Sequence, residues 1–141
     1  MSRLAGKVAI ITGAARGMGA VTAKLFAEHG AQVVIADILD EAGEALAASI
    51  GKNAHYVHTD VSNEADWQRL VEKAESLGPL NILVNNAAIL HASSIADSDG
   101  DDYMRVIKIN QLGTYLGIRA AIEPMKKAGS GSIINISSID G

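Results

Sequence analysis

The run Val8-Ala9-Ile10-Ile11 passes without a linker into Thr12-Gly13-Ala14-Ala15-Arg16-Gly17-Met18-Gly19, and a helical pattern follows at once. A short continuous apolar run fits a strand covered on both faces. Glycines at 13, 17 and 19 then allow a sharp reversal, an approach to the backbone unobstructed by Cβ, and close packing of helix on strand. The helix start offers unpaired amides to an anion. The stretch reads as a dinucleotide phosphate cradle. A tight turn without ligand has the same spacing, so the reading depends on what surrounds it.

The surroundings agree. Residues 15–29 carry Val21, Leu25 and Phe26 at helical spacing, with Gly30 as the stop, and 32–37 repeat the buried-strand pattern as Val33-Val34-Ile35-Ala36. Two such strands joined by a helix make a parallel unit with a right-handed crossover. Asp37 ends the second strand, about 20 residues past the glycines, where a carboxylate accepts from adenosine ribose hydroxyls and repels a 2′-phosphate. Taken by itself Asp37 reads as an ordinary strand-end turn acid; with the glycine loop in register it favours NAD over NADP. Arg16 points the other way, since a loop arginine either reaches a 2′-phosphate or stays solvated, and a dual or NADP preference stays open.

The alternation continues. A helix is expected over 40–50 with Ala42, Leu46 and Ala47 on one side, and a third strand over 54–59 leading to Asp60-Val61. Ser62-Asn63-Glu64-Ala65-Asp66 offers N-cap residues with acids in the first turn, after which Trp67, Leu70, Val71, Ala74 and Leu77 form an apolar face as far as Gly78-Pro79. Trp67 is read as packing. Residues 81–85 form a fourth strand that runs into Asn86-Ala87-Ala88, at a carboxyl strand end where ligands of such sheets bind. Residues 91–99 are small and polar. From Asp101 to about Lys127 the pattern predicts one helix, roughly 40 Å long if unbroken, with Pro124 bending or ending it. A turn at Gly129-Ser130-Gly131 precedes a fifth buried strand, 132–136, and Ser137-Ser138. The prediction is one domain over 1–141: a doubly wound parallel α/β sheet in the order 3-2-1-4-5. Its last strand lies at an edge with no following helix, so the chain reads as the front part of something longer.

With 141 residues, 48% of them apolar, the chain can bury one sizeable core. A net charge of −4 gives no reason to expect nucleic acid or an anionic membrane as partner. Absence of cysteine removes thiolate chemistry and is compatible with a reducing cytoplasm. No stretch reads as a signal peptide or a membrane span, so a cytoplasmic protein is expected. The histidines at 29, 55, 58 and 91 lack metal-ligand spacing, so no metal is expected; His91 is a solvated loop residue or a substrate contact. The acidic run from Asp97 to Asp102 suits a solvated helix entrance.

Thr12-Gly13-x-x-x-Gly17-x-Gly19, Asp60-Val61, Asn85-Asn86-Ala87-Ala88, Asn110-x-x-Gly113 and Asn135-Ile136-Ser137-Ser138 occur in this order. Together they resemble the short-chain dehydrogenase/reductases of the common single-domain type, and the wording around Gly17-Met18-Gly19 and Asp37-Ile38-Leu39 is most similar to the bacterial 3α(20β)-hydroxysteroid dehydrogenase branch. The resemblance implies a Rossmann domain lacking the family's C-terminal strands and helices. It implies that Gly13, Gly17 and Gly19 line the pyrophosphate, Asp37 holds the adenosine ribose, and Asp60 and Val61 border the adenine, with Arg16, Met18 and Ile38 also at the cofactor. Asn86, Ala87 and Ala88 fall on the nicotinamide side; Ala88 stands where the family usually has glycine, a replacement expected to be tolerated.

Of the family's catalytic Asn, Ser, Tyr and Lys, this chain matches Asn110, for a water, and Ser138, for the substrate oxygen. Its Tyr-x-x-x-Lys pair is absent: none of Tyr56, Tyr103 and Tyr115 has Lys four residues on. A carbonyl reduction needs a poised acid beside the oxygen, so the 141 residues alone are expected to be catalytically deficient. The family implies an NAD-dependent oxidoreductase acting on a secondary alcohol or ketone, steroid or cyclic alcohols included. Met104, Ile107, Leu112, Leu116 and Met125 can serve the chain's own core or a partner helix, and the resemblance implies the partner helix, in homodimers or homotetramers. The rival is a non-catalytic module that binds NAD or a parent subunit. A Rossmann-like methyltransferase fits the Asn85-Asn86 and Ser137-Ser138 pairs less well.

Overall fold

A computed structural model describes residues 2–139. Five parallel strands, β1 (Val8–Thr12), β2 (Gln32–Asp37), β3 (Ala54–His58), β4 (Leu80–Asn85) and β5 (Ser132–Asn135), form one sheet in the order β3-β2-β1-β4-β5. Helices α1 (Gly17–Glu28), α2 (Asp40–Ile50), α3 (Glu64–Leu77), α4 (Gly100–Ile107) and α5 (Gly113–Ala128) supply the connections. This is the doubly wound architecture that the alternation of apolar runs and helical patterns predicts. Among the described residues, no helix is long and apolar enough to cross a membrane.

Alternation along β1 divides the core. Val8 and Ile10 join Leu70, Trp67, Leu83, Leu116 and Met125 beneath α3 and α5, while Ala9 and Ile11 join Val33, Ile35, Val84, Ala23 and Leu46 beneath α1 and α2. Trp67 is buried as expected, and its indole N–H donates to the Val61 carbonyl at 2.8 Å. Asn63 caps α3 by accepting from the amides of Ala65 and Asp66.

Four expectations need correction. The inward face of α1 consists of Gly19, Ala23 and Ala27, and Val21 and Leu25 are exposed. The helix lies too close to the β1 turn for larger groups: a Cβ on Gly19 would sit 2.5 Å from the Gly13 carbonyl oxygen. On α2, likewise, Gly43 and Leu46 are buried and Ala42 is exposed.

The long helix is unbroken from 100 to 128 but takes a π turn over Lys108–Leu112, and it runs on through Pro124, which does not end it, to Ala128. Leu116 and Met125 belong to the chain's own core, while Met104 and Leu112 face outward.

Lastly, β5 is not buried. Only Ile133 is partly covered, and Ile134 remains 40% exposed. Ile134 pairs in register with Val84 and so faces the side of α1 and α2, which sit over β1, β2 and β3 instead.

Candidate functional site

At the carboxyl edge of the sheet, where strand order reverses between β1 and β4, a cavity of about 360 Å³ opens. Its walls come from the β1–α1 loop (Gly13, Arg16, Gly17), the β2–α2 loop (Asp37, Ile38, Leu39), the end of β3 (Thr59, Asp60, Val61) and the chain beyond β4 (Asn86–Ile89), with Ile109 behind. Ten of the residues expected from sequence therefore come together, although 50 residues and more separate the first from the last.

The three glycines act differently. Gly13 has φ +62°, and a Cβ there would lie 2.7 Å from the Cα of Ala87, so its bareness lets the β4 loop close over it. Gly17 also has a positive φ, +58°, but nothing stands within 4 Å of its Cβ direction; it is needed for the backbone turn and leaves the cavity side open. Gly19 is buried and lets α1 seat on the loop.

The N-terminus of α1 has no side-chain cap and no acid in its first turn, whereas α3 and α4 have both. Its free amides and partial positive charge suit an anion. Arg16, exposed at the N-cap, adds a full charge to the cavity wall. Met18 is exposed two residues further on and does not line the cavity.

Asp37 is tied on both carboxylate oxygens. Oδ2 accepts from the Ala15 amide at 3.0 Å, and Oδ1 accepts from the amides of Ile38 and Leu39 at 2.8 and 3.1 Å. An ionised carboxylate has about four acceptor positions, so Oδ2 keeps one for a ligand hydroxyl. Asp60 closes its own turn, with Oδ1 accepting from the Ser62 amide and hydroxyl at 2.9 and 2.7 Å.

Beyond β4, Asn86 donates through Nδ2 to the carbonyls of Thr12 and Gly13 at 2.9 and 3.2 Å. The fully buried Thr12 hydroxyl accepts from the amides of Asn86 and Ala87, each at 3.0 Å. Thr12 thus joins the ends of β1 and β4 into one platform. In the sequence the one signal of this role is a small hydroxyl residue, Thr12, closing a buried apolar strand. Leu39, Thr59, Ile89 and Ile109 were not anticipated as cavity residues at all. Ala88 lines the cavity without strain, since no non-glycine residue among those described has a positive φ.

Asn110 sits in the π turn. Its side chain accepts from the Ile89 amide and donates to the Ile89 carbonyl, both at 2.9 Å, fixing the chain beneath the cavity. Such turns are frequent at functional sites. Ser138 is exposed three residues past β5 and is not part of the cavity wall. His91 pairs with Asp102 at 3.3 Å and also lies outside the wall.

A glycine turn, an uncapped helix start and a strand-end carboxylate gathered at the switch point of a parallel sheet define a fold of the Rossmann type. Comparison with known proteins goes further. The chain belongs to the short chain dehydrogenase family, whose model matches residues 7–141. It is 50% identical over 140 residues to 3-alpha-(or 20-beta)-hydroxysteroid dehydrogenase of Mycobacterium tuberculosis, covering 99% of this chain and 54% of that one. It is 50% identical over 149 residues to trans-4-hydroxycyclohexanecarboxylate dehydrogenase of Sinomonas cyclohexanicum, covering 99% and 57%.

Among solved structures, the 3-ketoacyl-(acyl-carrier-protein) reductase of Brucella melitensis, complexed with NADH, superposes with a TM-score of 0.92 at 40% identity, covering 96% of this chain and 58% of that one. The chain spans about half the length of the curated relatives it matches.

Proposed function

We propose that this chain is the cofactor-binding part of an NAD-dependent oxidoreductase that moves hydride between NAD(H) and a secondary alcohol or ketone. The observation that carries the reading is the single cavity lined by Gly13, Gly17, Asp37, Asp60, Val61 and Asn86–Ala88 at the uncapped start of α1. The donor set fits a dinucleotide: amides and Arg16 for the pyrophosphate, with Met18 and Gly19 shaping the helix start, and a carboxylate with one acceptor position free for a ribose hydroxyl. Ile38 flanks that ribose, Asp60 and Val61 border the adenine, and Asn86, Ala87 and Ala88 receive the nicotinamide half.

When bound, the cofactor supplies or accepts the hydride. The chain's own contribution to the chemistry is smaller. Ser138 donates a hydrogen bond to the substrate oxygen. Both side-chain groups of Asn110 are taken by Ile89, so a water assigned to this residue is held at its main-chain oxygen, which also accepts from the Thr114 hydroxyl at 3.0 Å. The proton donor is not among these 141 residues. Relatives named for a hydroxysteroid and for a hydroxycyclohexanecarboxylate support a cyclic secondary alcohol as substrate, and the outward Met104, Leu112, Tyr115 and Ile122 support assembly into homodimers or homotetramers.

Absence of a Tyr-x-x-x-Lys pair favours a second reading, a module that binds NAD or a parent subunit without catalysis. Calorimetric titration with NAD and NADP, paired with a secondary-alcohol oxidation assay on the same sample, tests both. The expected result is NAD binding tighter than NADP binding, with no NADH formed by the 141-residue chain. Turnover by that chain overturns the assignment of the proton donor; failure to bind either dinucleotide overturns the cofactor reading.

A further inference from the structure

Helix α2 carries a glycine, Gly43, in its interior, where glycine costs about 1 kcal/mol against alanine. The space it leaves is filled by Tyr56 of β3: a Cβ on Gly43 would lie 2.2 Å from Cε2 of that ring and 2.3 Å from Cδ2. Seated there, the phenol reaches under the start of α2. Its oxygen lies 2.7 Å from the Asp37 carbonyl and 2.6 Å from Oδ1 of Asp40. His58, two residues along β3, brings Nδ1 to the same Asp40 oxygen at 2.6 Å.

Burial, then the hydrogen bond and charge of Asp40, push the Tyr56 phenol up, so it stays protonated and acts as a donor. The same bond from Tyr56, followed by that from His58, holds the Asp40 carboxyl below its usual range.

The one phenol proton is shared between two acceptors, the Asp37 carbonyl and the Asp40 carboxylate, which stand at the two ends of the segment 37–40. Between them lie Ile38 and Leu39, which line the cavity and donate their amides to the Asp37 carboxylate. Tyr56, Gly43, Asp40 and His58 do not themselves line it. A segment held at its two ends presents Asp37 in one position, beside Ala15.

We propose that Tyr56, admitted by Gly43, is a positioning residue that holds the 37–40 segment so that Asp37 meets an unphosphorylated adenosine ribose, and thereby sets the preference for NAD over NADP. The proposal rests on the nucleotide reading of the cavity. Tyr56→Phe keeps the ring and removes only the hydroxyl. Loss of one such bond predicts NAD affinity about three- to tenfold weaker, NADP affinity nearly unchanged, and so a narrowed ratio between them. Amide hydrogen exchange at Ile38 and Leu39, measured without nucleotide, should quicken by a similar factor. Gly43→Ala, which displaces the ring, should shift both readouts the same way. Asp40→Asn, which keeps an acceptor for the phenol, should restore the ratio that Asp40→Ala loses.

A folded Tyr56→Phe protein with the NAD-to-NADP ratio within about twofold of the unaltered chain overturns the proposal, and a lower melting temperature with an unmoved ratio does so too. If the unaltered protein binds NAD and only the variants fail to respond, the positioning role alone falls. If it binds neither dinucleotide, the nucleotide reading falls and takes this proposal with it.

Discussion

Strands β1 and β5 each hold an isoleucine pair, Ile10-Ile11 and Ile133-Ile134, and the sequence pattern treats them alike. Their surroundings differ. Both β1 isoleucines are fully buried, with β2 and β4 alongside and helices over both faces, while Ile134 keeps 40% of its exposure and β5 has β4 alone as neighbour. The apolar run makes a strand in each case, because β-branched residues suit a pleated surface. How much that strand contributes to stability depends on what covers it, which is not encoded in the run.

The sharpest test of this contrast is a pair of truncations read by urea unfolding. Ile10→Ala should cost about 2–5 kcal/mol, the range for emptying a packed core site, whereas Ile134→Ala should cost under about 1 kcal/mol, as exposed positions do. Equal losses would show that β5 is covered in solution, and the contrast would fail.

A smaller effect is expected at the end of β1, where burial is joined to hydrogen bonding. Thr12→Val preserves shape but leaves the amides of Asn86 and Ala87 without their acceptor, at a cost of about 1–3 kcal/mol. Nucleotide affinity should fall with it, because those residues carry one wall of the cavity; calorimetry on the folded variant checks this. An unchanged affinity would mean that the β4 loop holds its place without β1.

The smallest effect concerns β3, the other edge of the sheet, which is half-covered by α2. Burial first, and the charge of Lys73 second, lower the pKa of His55 from its ordinary 6.5. The unfolded chain therefore binds the proton more readily, so stability should decline as pH falls from that ordinary value toward the lower folded one. Unfolding free energies measured on either side of 6.5 should show this slope, and His55→Gln should flatten it. A slope unaltered by the substitution would place the pH response elsewhere and leave β3 as bare as β5.

The parts of the site legible beforehand are those whose chemistry lies in the backbone or in a strand end. Gly13 and Gly17 were readable because a positive φ needs glycine, and Asp37 because it closes a buried run at a fixed distance from them. Less legible were residues that act across the fold. Thr12 looked like one more strand residue until β4 arrived beside it, and Tyr56 had no visible link to Asp37 because the link passes through a gap in another helix.

Two misreadings share a cause. Val21 and Leu25 recur at helical spacing as a core-facing stripe does, yet both are exposed, because a helix seated tightly on a glycine turn needs small residues beneath it. Pro124 reads as a bend or an end, because a donor is missing there, yet the helix runs on past it and its irregular turn lies at Asn110, whose side chain is bonded to Ile89 in both directions.

The sequence by itself determined the order of strands and helices, the parallel sheet, the glycine turn and the family, since all of these follow from local periodicity and from residues with special backbone freedom. Only the tertiary structure decided which loops meet in one cavity, which face of α1 turns inward and how far β5 is covered. Those outcomes depend on the distance between groups remote in the chain, and packing at that range is decided by the whole set of neighbours at once.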